Sequence, residues 1–175
     1  RKSVFLRCQP KMATRLQEQD TSANTIPAIF LERCTRTPDE AVFVYKDRGI
    51  YKEMRWKDLH AKVENLSLGL VELGLRPGDG VAIMGDNCIE WVYADLSVIC
   101  TGAFSYGIYP TSAIPQVKYL VENGGAKFFI AEDQEYVDKI LSVADELPQL
   151  CKIIVADTRG TFLYTDPRLM SFPEL

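Results

Sequence analysis

The sequence predicts an α/β fold: a mostly parallel sheet with helices on both faces, preceded by a β-hairpin. Three observations carry that expectation. Short apolar runs of strand character (residues 81–84, 103–109, 127–131 and 152–156) alternate with segments of helical period. The turns between them are short and rich in Gly, Pro and Asp, which suits right-handed βαβ units. Ahead of the alternation, residues 41–45 and 50–56 flank Lys46-Asp47-Arg48-Gly49 and read as a hairpin. At 175 residues, 47% hydrophobic and 25% charged, the chain has ordinary globular composition and can bury one good core.

In chain order, residues 1–24 are polar, aperiodic and expected to be loose. Residues 1–11 are expected to be cloned or mis-assigned upstream sequence, because Met12-Ala13-Thr14 makes a more natural start. A short helix over residues 26–34 tolerates Pro27 in its first turn and ends at Thr37-Pro38-Asp39. After the hairpin, Leu59, Val63, Leu66, Leu70 and Leu73 recur at steps of four and three, one helical stripe, with Asp58 as N-cap and Gly74 as stop. His60 lies one step off that stripe and reads as a surface histidine.

The buried-strand candidate 81–84 follows Arg76-Pro77-Gly78-Asp79-Gly80. Asn87 and Glu90 read as N-cap and capping box of a largely apolar helix through Cys100 or Thr101. No basic residue occurs between Arg76 and Lys118, which marks that stretch as the interior. A helix from Pro115 stops at Asn123-Gly124-Gly125. Another apolar stripe, Tyr136, Val137, Ile140, Leu141, Ala144 and Leu147, runs to Pro148. The core unit is expected over residues 25–157, with 158–175 a loop-like tail.

Charge and chemistry exclude several classes. The net charge of -4 with no basic tract disfavours nucleic acid as a partner. The five cysteines, Cys8, Cys34, Cys88, Cys100 and Cys151, show no C-x-x-C spacing, and His60 is the single histidine, so neither a disulfide framework nor a zinc site is expected. Buried thiols in a reducing, cytoplasmic setting are the expectation. Val4-Phe5-Leu6 is too short for a signal-peptide core, and the apolar helix near Trp91 is too short and too acidic to span a membrane. Neither G-x-G-x-x-G, nor a P-loop, nor a G-x-S-x-G elbow occurs. Gly78, Gly80 and Gly85 read as turn residues, and Glu90 and Asp95 as structural carboxylates. No catalytic residue and no metal ligand is assigned.

An ordered set of short segments is nevertheless distinctive: Arg55-Trp56-Lys57-Asp58-Leu59, Gly69-Leu70-Val71-Glu72-Leu73-Gly74-Leu75, Arg76-Pro77-Gly78-Asp79, Asn87 with Glu90-Trp91, Gly107-Ile108-Tyr109-Pro110-Thr111-Ser112, Gln116-Val117-Lys118-Tyr119-Leu120 and Gly125-Ala126-Lys127. Over residues 25–157 it resembles the amino-terminal part of the AMP-forming acyl-CoA synthetases, within the adenylate-forming ligase superfamily. The Gly107–Ser112 segment is most similar to long-chain fatty acid ligases. The resemblance implies a partial N-terminal domain of a ligase that uses ATP, Mg2+ and coenzyme A to convert a long-chain fatty acid to acyl-CoA, AMP and pyrophosphate through an acyl-adenylate. It also implies that the phosphate-binding loop, the ribose-binding acid and the mobile catalytic lysine lie outside these residues, so the chain alone is expected to be inactive and to bind none of ATP, Mg2+ and coenzyme A tightly. Tyr106, Gly107 and Ile108 match a loop that in relatives lies beside the nucleotide end of coenzyme A; a glycine there permits close approach and an aromatic ring can stack on adenine. Pro115 departs from the acidic residue more usual in long-chain ligases. The alternatives are a non-enzymatic interaction module with this fold, or an adenylating enzyme for another acid. Self-association is expected through an uncovered sheet edge, and peripheral membrane contact is compatible with the family.

Overall fold

The structure, a computed structural model, describes residues 4–5, 25–47 and 49–175. The chain divides into two compact units, Arg1–Lys62 and Val63–Leu175.

The first unit is a small sheet with a helix. Strand β1 (Val4–Phe5) pairs antiparallel with β2 (Ala41–Asp47), which pairs antiparallel with β3 (Ile50–Arg55). The expected hairpin is therefore present, with Gly49 at φ +86° in its turn. β1 corrects the expectation of a loose segment at those two residues; the rest of 1–24 lies outside the described residues. Helix α1 (Ile26–Arg36) starts where the Thr25 hydroxyl accepts the Ala28 N–H, with Pro27 in its first turn. Phe30, Cys34, Phe43, Met54 and Leu59 are buried. Trp56 lies against Phe30 at 6.4 Å between ring centroids, and the Arg33 guanidinium covers the Trp56 ring. His60, expected to be a partly exposed surface histidine, is half-buried and stacks on Phe30 at 6.3 Å.

Helix α2 (Trp56–Glu72) begins in the first unit and ends in the second. Asp58, expected from the sequence as its N-cap, is not the cap. It sits in the first turn and its carboxylate accepts the Arg55 N–H, the reciprocal half of a capping box. Gly74, at φ +100°, ends the segment as expected.

The second unit is the parallel sheet. Its strands are β4 (Gly80–Met84), β5 (Phe104–Ile108), β6 (Ala126–Ala131), β7 (Lys152–Val155) and β8 (Leu169–Ser171), in spatial order β5-β4-β6-β7-β8. Every neighbouring pair is parallel. Between them run α3 (Ile89–Cys100), α4 (Ile114–Asn123) and α5 (Gln134–Leu141). Alternate residues feed two separate cores, as a strand's period of two requires. Ala82, Met84, Phe129, Ala131, Ile153 and Val155 face α4 and α5, whereas Val81, Ile83, Phe128, Ile130 and Ile154 face α2 and α3. Covering both faces explains why β4 and, after Lys127, β6 read as unbroken apolar runs.

Four expectations need correction here. The tail is not all loop: β8 extends the sheet and a 3-10 turn follows over Phe172–Glu174, with Tyr93 and Phe172 rings 5.6 Å apart. Pro167 and Pro173 hid a strand of three residues that adds to the sheet only through non-local pairing. The N-cap of α3 is Cys88, with no side-chain cap bond, so Asn87 and Glu90 form no capping box. The stripe from Tyr136 is two elements, α5 and a 3-10 turn over Ala144–Glu146; the tighter turn keeps Ala144 and Leu147 buried on the same side. Finally, β5 is an edge strand, and Phe104 and Tyr109 are 47% and 81% exposed. The interior reading holds for β4 and the buried side of α3, but at β5 the lack of charge reflects an apolar rim.

Candidate functional site

Two of the family-like segments, Arg76–Asp79 and Gly125-Ala126-Lys127, meet at the amino end of the sheet, and their chemistry there is structural. The turn Arg76–Asp79 needs Gly78 at φ +85°. The Asp79 carboxylate accepts the Arg76 N–H at 2.7 Å and the Lys127 ammonium at 2.9 Å, and the same ammonium donates to the Gly74 carbonyl at 2.7 Å. The Lys127 bond, opposed by burial and helped by the Arg76 N–H, holds the Asp79 carboxyl below the usual carboxylate range. Gly78 N–H reaches Gly102 O and Phe104 N–H reaches Asp79 O, so the turn fixes where β5 begins.

Parallel sheets bind ligands at the carboxyl edge, beside the strands where the order of strand addition reverses. Here those strands are β4 and β6, and the edge is acidic and closed. The Glu132 carboxylate accepts the Asp86 N–H, Glu132 N–H donates to Met84 O at 3.0 Å, and a Cβ on Gly85 would lie 2.7 Å from the Glu132 Cβ. Burial, with Asp133, Asp86 and Glu90 nearby, raises the Glu132 carboxyl. Beside this edge, burial pushes the Cys88 thiol up to about 12, which disfavours the thiolate. This rim of carboxylates does not fit the phosphates of a nucleotide. Among the described residues, no three His, Cys, Asp or Glu side chains are grouped to hold a metal ion. Asp95 is engaged elsewhere, accepting the Ser105 hydroxyl.

The three residues singled out from the sequence lie together on β5 but do not converge. Tyr106 packs over Gly124 at the end of α4 and donates its hydroxyl to Leu120 O at 3.1 Å; burial pushes the phenol up to about 12. Ile108 is buried in the same core. Gly107 faces the other way, where an added Cβ would lie 3.3 Å from the Trp91 ring.

Just beyond β5 is a concave surface that sequence reasoning missed. A groove of about 540 Å3 is lined by Tyr109, Thr111, Ser112, Pro115, Gln116 and Tyr119, among others. A turn forms its rim, closed by Ser112 N–H to Tyr109 O at 2.9 Å, with Pro110 at the position where proline's fixed φ is favoured. Gln116 in the first turn of α4 accepts the Ala113 N–H at 3.0 Å. Tyr109 and Tyr119 present exposed rings, 81% and 62% accessible. The sequence signal was present in Tyr109-Pro110-Thr111-Ser112 and Gln116, but the groove forms only when α4 folds back beside the strand.

A model of the family described as AMP-binding enzyme matches residues 30–168, and the chain belongs to that family. Among curated proteins it is 30% identical over 151 residues to the long-chain-fatty-acid–CoA ligase ACSBG2 of Xenopus laevis, covering 83% of this chain and 20% of that protein. The chain thus spans about a fifth of the length of that relative. Among solved structures, acetoacetyl-CoA synthetase from Streptomyces lividans superposes with a TM-score of 0.74 at 21% identity, over 85% of this chain and 24% of that one. An anthranilate CoA ligase in complex with anthranoyl-AMP gives a TM-score of 0.71 at 20% identity, over 85% and 27%. At those identities the structural likeness establishes the fold. Among the described residues no helix is long and apolar enough to cross a membrane.

Proposed function

We propose that this chain is the N-terminal part of an ATP-dependent, AMP-forming ligase that joins a long-chain fatty acid to coenzyme A. The observation that carries the reading is the match to a long-chain-fatty-acid–CoA ligase over 83% of the chain, set on a fold shared with acid–CoA ligases. In the intact enzyme a fatty carboxylate displaces pyrophosphate from ATP, and the coenzyme A thiol then displaces AMP from the acyl-adenylate. Such chemistry requires phosphate charge to be neutralised, with Mg2+ assisting, and water to be kept from a reactive anhydride. The acidic carboxyl edge of this sheet performs neither task, so those residues lie elsewhere in the intact protein.

The contribution of this chain is a scaffold and one wall of the coenzyme A site. We place the nucleotide end of coenzyme A along the groove beside Tyr106, Gly107 and Ile108, with Tyr109 and Tyr119 offering ring faces to adenine and Thr111, Ser112 and Gln116 offering polar atoms. A reducing cytoplasmic location, peripheral contact with a membrane and self-association complete the reading.

The test is ATP–pyrophosphate exchange with palmitate. The intact enzyme is expected to catalyse it and the 175-residue chain to show none. Exchange by the chain alone would overturn this placement of the chemistry. An intact enzyme that exchanges only with short or aryl acids would transfer the reading to an adenylating enzyme for another acid. An intact protein inactive with every acid would leave a non-catalytic interaction module.

A further inference from the structure

We propose that Lys139, on α5, is the positioning residue that holds the turn after β5 in its ligand-ready shape, and so sets the geometry of the groove. In a β-turn closed from the fourth N–H to the first carbonyl, the second residue's carbonyl has no partner within the turn. Here that carbonyl belongs to Pro110, between Tyr109 and Thr111 of the groove wall. The Lys139 ammonium reaches it from a different element, at 2.7 Å. Two groups and burial fix the lysine itself. It sits against the Glu135 carboxylate at 3.0 Å, one helical turn earlier on α5, and over the Tyr136 ring at 5.3 Å, and its side chain is only 21% exposed. A charge-assisted bond from so confined a donor is stronger than one from a free surface lysine. Residues 96–117 carry no charged side chain, so the turn contains no cation that could substitute.

The inference rests on the reading of the groove as a coenzyme A site, and the experiment separates the two. The 175-residue chain is compared with Lys139→Met, which keeps the aliphatic stem, and Lys139→Arg, which keeps a donor. Amide exchange at Ser112, whose N–H closes the turn, reports the clamp without any ligand. Titration with coenzyme A, followed by amide shifts over residues 109–119, reports the groove. Lys139→Met is expected to speed Ser112 exchange about tenfold and weaken coenzyme A binding roughly five- to tenfold, with Lys139→Arg restoring both. A purely stabilising lysine would lower the unfolding midpoint yet leave the affinity of the folded protein unchanged, and that result overturns the inference. Unchanged Ser112 exchange in Lys139→Met overturns it equally. No shift in the unmodified chain at millimolar coenzyme A defeats the groove reading instead, and faster Ser112 exchange in Lys139→Met would then still establish the clamp.

Discussion

Single residues decide how closely the elements of the second unit approach. Gly124 has an ordinary helical backbone, so no positive φ demands a glycine there. It is required because a Cβ would overlap the Tyr106 ring. Gly124→Ala is expected to destabilise the chain by about 1–3 kcal/mol through overpacking. Trimming the ring with Tyr106→Leu should remove much of that penalty, so urea titrations of the double-mutant cycle should show strong coupling. Additive effects would mean that the ring is not the obstacle. Ser97 shows the same economy of space between α2 and α3: it is fully buried, with its hydroxyl near the Tyr93 and Val63 carbonyls.

Among the elements, the Arg76–Asp79 turn ties three parts of the sheet together. Asp79 joins the turn to Lys127 on β6, while its carbonyl takes the first N–H of β5. Because the folded carboxyl titrates below its unfolded value, its contribution is complete above about pH 4 and is lost as pH falls through the lower folded value. Asp79→Asn is therefore expected to cost roughly 1 kcal/mol near neutrality and to make the acid limb of the stability curve shallower. An unchanged acid limb in denaturation measured from pH 5 to pH 2 would show that other carboxylates control it. The sequence marked this turn by its Pro, Gly and Asp, but not the partner of Asp79, which lies 48 residues away.

On the scale of the whole molecule, the two edges of the parallel sheet differ. β8 is three residues long and flanked by Pro167 and Pro173, a short and guarded edge. β5 has neither charge nor proline, its register against β4 is regular, and Phe104 is half-exposed beside Tyr106. Natural edges are usually blunted by lysine, proline or a bulge, so β5 is the surface through which the chain is expected to associate. Sedimentation at rising concentration should show a growing dimer fraction; a clean monomer throughout would count against it.

The sequence by itself determined the class of fold, most element positions and the family-like segments. Those features depend on local period, on turn chemistry and on a ladder of apolar runs, all readable along the chain. Reading failed where the cause was non-local. Asp58 and Cys88 stand at helix starts whose caps depend on which N–H groups are left open. β8 is a strand only because β7 lies beside it. Tyr106, Gly107 and Ile108 are adjacent in sequence, but the pleat sends Gly107 to one core and its neighbours to the other. Tertiary structure alone brought Tyr109 and Tyr119 to one groove and delivered the Lys139 ammonium to the carbonyl that the turn leaves open. Periodicity along a chain records which face a residue takes, whereas a site depends on which faces the fold brings together.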